Sequence, residues 1–215
     1  STSDNAFYAE GIFKDTIDRI EILKGSQSSL YGNSAVGGTI NIFTKKGKLG
    51  KHQDITVRGG QENTKDIFYS INGANEKTNY YVGLNYYATD GISAMNDEKS
   101  TNDDDAYENK GFISNYKYLF NDNLYFKGSL RYSDSFLNYD EVTTGRTDNN
   151  NSTDDTELSY SLKLSFDIGR LKNSILYNYT GINRATKTYT NSAKNYYGYR
   201  DSINFLGEYN FNLDS

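Results

Sequence analysis

Between Glu157 and Ile168 the chain alternates without a break. Leu158, Tyr160, Leu162, Leu164, Phe166 and Ile168 are apolar or aromatic, and Ser159, Ser161, Lys163, Ser165 and Asp167 lie between them. Successive side chains of a β-strand point to opposite faces, so this stretch reads as a strand with one apolar and one polar side. The same two-sided pattern recurs in Leu124, Phe126, Gly128, Leu130 and Tyr132, and in Tyr80, Val82, Leu84 and Tyr86. Strands are predicted near 53–60, 65–74, 79–88, 111–119, 123–133, 157–168, 173–182 and 200–211.

The connectors between these strands fall into two classes. Segments 75–78, 120–123 and 169–172 are short and polar, as hairpin turns are. Segments 89–110, 134–156 and 183–199 are long and rich in Asp, Asn, Ser and Thr; the connector at 61–64 is the one short member of that class. Strict alternation of short and long connectors is the layout of a membrane barrel, with tight turns at one end and longer loops at the other. Composition agrees: 21 Tyr and 11 Phe accompany no Trp, Pro or Cys, so tyrosine takes the place of Leu and Val in strand-forming sequence. Tyr86, Tyr87, Tyr116, Tyr118, Tyr177, Tyr179, Tyr196, Tyr197 and Tyr199 stand where strands meet connectors, as aromatic girdles do. No apolar run is long enough for a membrane helix. A mean hydropathy of −0.79 leaves a barrel open, because its strands average to hydrophilic. The net charge of −5 and the lack of a basic stripe oppose nucleic-acid binding; Lys45, Lys46, Lys48 and Lys51 form one short basic linker.

Ahead of the first of these strands lies a different unit, IDRIEILKGSQSSLYGNSAVGGTINIFTKKG, from Ile17 to Gly47. It reads as two short strands joined by a glycine- and hydroxyl-rich connection. The order Arg-Ile-Glu, hydrophobic pair, Lys-Gly, Leu-Tyr-Gly, Gly-Gly, Ile-Asn-Ile and Thr-Lys resembles the end of the plug domain of TonB-dependent outer-membrane receptors. Ser26 stands where that family usually has proline, and Gly25 before it still permits a bend. The resemblance implies a plug C-terminus over 1–47, then over 48–215 the first strands of a transmembrane barrel of about 22 strands. Eight strands would not close it. Ser1 reads as the start of a fragment, and the segment that contacts TonB would precede it.

The resemblance also implies roles for particular residues. Arg19 and Glu21, two apart on one strand, are expected to anchor the plug to the barrel wall. The order Tyr-Ala-Thr-Asp-Gly (87–91), an acidic loop, Gly111-Phe112 and Asn138-Tyr139-Asp140 is similar to the cobalamin receptor branch, where calcium orders extracellular loops. Closely spaced carboxylates suit a hard cation, so Asp103, Asp104, Asp105 and Asp140 are candidate calcium ligands; a solvated acidic loop is the alternative.

Other chemistries find little support. Residues 32–39, GNSAVGGT, space like a phosphate loop but lack its lysine. His52 is the only histidine, at a strand start, with no Cys and no serine in a nucleophile elbow, so catalysis is not expected. The reading is TonB-dependent import of a scarce nutrient, cobalamin or a ferric siderophore, across the bacterial outer membrane. The partners are TonB, the ligand and outer-membrane lipid. A non-transporting barrel, porin or adhesin, is the alternative, and the unit at 17–47 argues against it.

Overall fold

The computed structural model describes residues 12–26, 37–93, 104–140, 151–188, 193–209 and 211. Two sheets account for nearly all of them. A small one pairs β1 (Ile17–Lys24) antiparallel with β2 (Gly38–Thr44), with Ile20 opposite Ile42 and Ile22 opposite Ile40. A 3-10 turn at Lys14–Thr16 leads into β1. Gly25 ends β1 with a φ of 89°, the bend that its sequence position permits.

The large sheet has eight antiparallel strands in chain order: β3 (Gly50–Gly59), β4 (Lys65–Ala74), β5 (Thr78–Thr89), β6 (Tyr107–Asn121), β7 (Leu124–Tyr139), β8 (Asn151–Ile168), β9 (Leu171–Lys187) and β10 (Ala193–Tyr209). All eight predicted strands are present, and the incomplete barrel is too: β3 and β10 are the two edges of the sheet and do not pair with each other.

Contacts with the N-terminal unit fix which face of each strand is inner. Asp66 of β4 meets Lys14, Asn79 of β5 meets Gly47, and Asn115 of β6 meets Thr44. Every residue an even number of places from these shares their face. The other face is therefore outer, and it carries Ile55, Val57, Ile67, Tyr69, Leu84, Tyr132, Leu162, Leu164, Ile175, Ile203 and Phe205, all exposed. The apolar alternation from Leu158 to Ile168 forms this outer surface. Its length matches the roughly 9–11 tilted residues that cross a bilayer. Tyr86, Tyr116, Tyr118, Tyr177, Tyr179, Tyr197 and Tyr199 share the outer face, whereas Tyr87 and Tyr196 turn inward by register.

The strands overrun their predicted upper ends. β9 continues to Lys187 and β10 begins at Ala193, so most of the loop expected at 183–199 is hairpin. β7 and β8 likewise pair up to Tyr139 and Asn151. Apolar alternation stops where the bilayer stops, but backbone pairing needs no apolar side chain. In this upper part Arg184 Nε donates to Asp155 Oδ1 at 2.7 Å, and the Thr153 and Thr186 hydroxyls lie 3.3 Å apart. The short turns are tighter than expected, at 75–77, 122–123 and 169–170.

The middle of the outer face, at the level of Leu162, should tolerate no charge. Leu162→Arg is expected to cost about 2–4 kcal/mol in equilibrium unfolding from lipid vesicles, the usual penalty for arginine at the bilayer midplane. Ser159→Arg, one strand face away, should cost far less. Equal costs would show that the faces are assigned wrongly.

Candidate functional site

The small sheet and its 3-10 turn sit on the inner face of β3–β6, and charge holds them there. Arg58, near the end of β3, faces Asp66 at the start of β4 across the ladder, an opposite-charge pair in direct register. Its guanidinium also grips Asp15 of the 3-10 turn, with Nη1 to Oδ2 at 2.8 Å and Nη2 to Oδ1 at 2.6 Å. Lys14 reaches past to Asp66 Oδ2 at 2.8 Å, which also accepts from Arg58 Nη1 at 2.9 Å. Two cations and two anions thus alternate between turn and wall. Asp66 is the most buried member, with a side chain 10% exposed, while Lys14 is 65% exposed. The bidentate bond from Arg58 holds the Asp15 carboxyl below its ordinary value.

Neutral groups extend the seat. Asn115 Nδ2 donates to Thr44 Oγ1 and to the Lys45 carbonyl, each at 2.9 Å. Asn79 exchanges two hydrogen bonds with the backbone of Gly47, both at 2.9 Å, and the Lys48 N–H donates to Asn72 Oδ1 at 3.2 Å. Two glycines allow this closeness. A Cβ on Gly111 of β6 would overlap the Phe13 ring and Asn85 Oδ1, and one on Gly47 would strike the carbonyl oxygens of Gly73 and Tyr80. A glycine inside a strand often marks such an approach.

Arg19 and Glu21 lie elsewhere. Arg19 Nε donates to Glu21 Oε1 at 2.7 Å, the guanidinium stacks 3.8 Å from the Phe43 ring centre, and Asp18 adds a second ion pair at 3.5 Å. Both side chains are exposed on β1. Of the candidate calcium ligands, Asp103 lies outside the described residues, Asp104 and Asp105 precede β6, and Asp140 follows β7. Among the described residues no three carboxylates or imidazoles are placed to share a metal ion. His52 bonds the Leu49 carbonyl at 2.8 Å. Of the glycine-rich stretch 32–39, residues 32–36 lie outside the described residues.

A strand pair clamped by charge and amides to the polar inner face of an open β-wall, with an apolar outer face, defines a plugged transmembrane β-barrel. Residues 2–39 match the family described as TonB-dependent Receptor Plug Domain. The chain is similar to the vitamin B12 transporter BtuB of Photobacterium profundum, 30% identical over 82 residues, which are 38% of this chain and 14% of that protein. It is also similar to the ferric enterobactin receptor of Pseudomonas aeruginosa, 33% identical over 79 residues, 37% of this chain and 10% of that protein. The solved structure of BauA, the ferric preacinetobactin receptor of Acinetobacter baumannii, aligns at 17% identity and a TM-score of 0.44, over 84% of this chain and 37% of that one. The matched stretches thus cover far less than two thirds of these relatives' lengths.

Loosening the seat should be readable locally. Gly111→Val, which drives Phe13 off the wall, and Asp66→Asn, which strips Lys14 and Arg58 of a charged partner, should each speed amide exchange in residues 12–16 without altering that of β8. Acid should do the same in a defined window. The Asp15 carboxyl is depressed, so its contribution is full above the unfolded value near 3.8 and is lost as pH falls through the lower folded value. Exchange at 12–16 that rises already between pH 6 and pH 5 would contradict this.

Proposed function

We propose that this chain is part of a receptor in the bacterial outer membrane that imports a scarce nutrient, a cobalamin or a ferric siderophore, using energy delivered by TonB. Residues 1–47 are the C-terminal part of its plug and 48–215 the start of its barrel. The supporting observation is the seat itself: six wall residues, Arg58, Asp66, Asn72, Asn79, Gly111 and Asn115, are committed to holding an object inside the lumen. A passive porin or an adhesin has no use for that investment. The named relatives carry vitamin B12 and siderophore functions, which favours small-molecule import over catalysis. In this reading Arg19 and Glu21, exposed on the plug sheet, meet barrel strands other than β3–β10.

Cells expressing the full-length receptor should accumulate labelled cobalamin or labelled ferric enterobactin saturably, and a protonophore should abolish accumulation. Uptake that is unsaturable and indifferent to the protonophore would identify a passive channel.

A calcium role for the outer connectors is part of the same reading. The Asn138 N–H donates to the Ala106 carbonyl at 2.9 Å, which brings the segment after Asp104 and Asp105 to the end of β7, beside Asp140. Millimolar calcium should slow proteolysis at 97–105 and 140–150, and a chelator should restore it; cleavage rates blind to both would remove calcium from the account.

A further inference from the structure

The lower part of the inner wall holds a charge pattern that neither the seat nor the ladder requires. Lys117 of β6, Lys127 of β7 and Lys163 of β8 are direct cross-strand partners, Lys117 opposite Lys127 and Lys127 opposite Lys163. Like charges placed directly opposite one another destabilise a sheet. Among the described residues none of the three has an ion pair. Lys117 and Lys127 share the face of one ring, each Nζ standing 5.1 Å from the centre of Tyr125. All three line a cleft of about 670 Å³ between the wall and β2, at the short-turn end; Lys46 and Lys77 line it too, against a single carboxylate, Glu76. Two residues further up the same face, Ser129 and Ser161 stand opposite each other and add hydroxyls to the lining. Among the described residues the lining sets five ammonium groups against one carboxylate, in a chain whose net charge is −5, a local excess of positive charge that suits an anion.

We propose that this cleft is a binding site for a small polyanion that presents phosphate or carboxylate oxygens. Lys117, Lys127 and Lys163 supply the charge, and Ser129 and Ser161 the neutral donors. Lysine suits this work because a compact ammonium on a flexible stem meets an anion from many directions. The site lies between the plug and the end of the lumen opposite the long connectors. On the import reading above, an anionic ligand would pause there on its way out; the binding itself does not depend on that reading.

The test uses the purified full-length receptor in detergent, with inorganic phosphate and citrate as separate probes. At least one should bind saturably by calorimetry, weaken as sodium chloride rises, and lose at least tenfold in affinity in the Lys127→Gln, Lys163→Gln double variant. The same probe should shield Lys117, Lys127 and Lys163 of the unaltered receptor from acetylation while leaving Lys24 reactive, a readout that needs no variant to fold. Response to phosphate alone or citrate alone identifies the anion. In anion-free buffer Lys127→Gln should raise the melting temperature by relieving repulsion. A lowered melting temperature would mean that the protein's own carboxylates fill the cleft, and that result, or no shielding by either probe, overturns the proposal. Uptake by cells is measured separately, so either reading can fail alone.

Discussion

A strand in hydrocarbon has no water to satisfy its N–H and C=O groups, so every one of them must find a partner in a neighbouring strand. Everything else in this chain follows from that requirement. It forces the unbroken antiparallel run from β3 to β10, and it does so with backbone atoms alone. Side chains are then free to differ completely on the two faces. The outer face meets lipid and is mostly apolar; the inner face carries most of the polar and charged residues, which would be intolerable in a membrane helix bundle without partners, and beside them the buried patch of Phe68, Tyr81 and Ile113. The unpaired edges of β3 and β10 are the one place where the requirement is unmet, and in a bilayer they call for further strands.

The polar interior in turn decides how a plug can be held. The inner wall offers one small buried apolar patch, Phe68, Tyr81 and Ile113, among Asn, Ser, Arg and Asp. The contacts are therefore discrete: the four-membered arrangement of Lys14, Asp15, Arg58 and Asp66, and the amides of Asn72, Asn79 and Asn115. Partly exposed ion pairs of this kind contribute little each, about 0–1 kcal/mol. They are directional and breakable one by one. Such contacts fix a register without the cooperativity of a large apolar core, which is what the proposed import by a displaced plug would need.

How much of this was legible in the chain depends on which atoms carry the information. Strand existence and the short turns were legible, because alternation such as Leu158 to Ile168 reports directly on a two-faced strand. Strand length was not: above the bilayer both faces are wet, so Asn183, Arg184 and Lys187 look like loop while their backbones continue the ladder. The seat was half legible. Arg58 and Asp66 flank a hairpin at symmetric positions, and Gly111 interrupts a strand, so a register and a close approach could have been read from them. Their partners in the 3-10 turn could not, since Lys14 and Asp15 carry no periodic signal and the contact spans 43 residues. Arg19 and Glu21, two apart on one strand, share a face, and Arg19 Nε donates to Glu21 Oε1.

The inner wall also has a vertical order that the ladder does not impose. In the upper half of β3 to β9 three inner arginines have anions, Arg58 with Asp66, Arg131 with Glu157 and Arg184 with Asp155; Lys194 and Arg200 of the edge strand β10 have no ion pair among the described residues. In the lower half of the wall Lys117, Lys127 and Lys163 are stacked without one among the described residues. Compensated pairs make a wall that is polar yet electrically quiet, one an ionised solute can pass without being trapped. An uncompensated row does the opposite, since repulsion among its members is relieved by each anion that enters. If an anionic ligand moves from the long-connector end toward the short turns, it leaves neutral surroundings for attractive ones, and the plug sheet stands at the boundary. The three lysines belong to β6, β7 and β8, so the gradient lies in the wall and does not depend on the position of the plug sheet. On the proposed import reading, attraction for an anionic cargo would then reside in the wall and not in the plug.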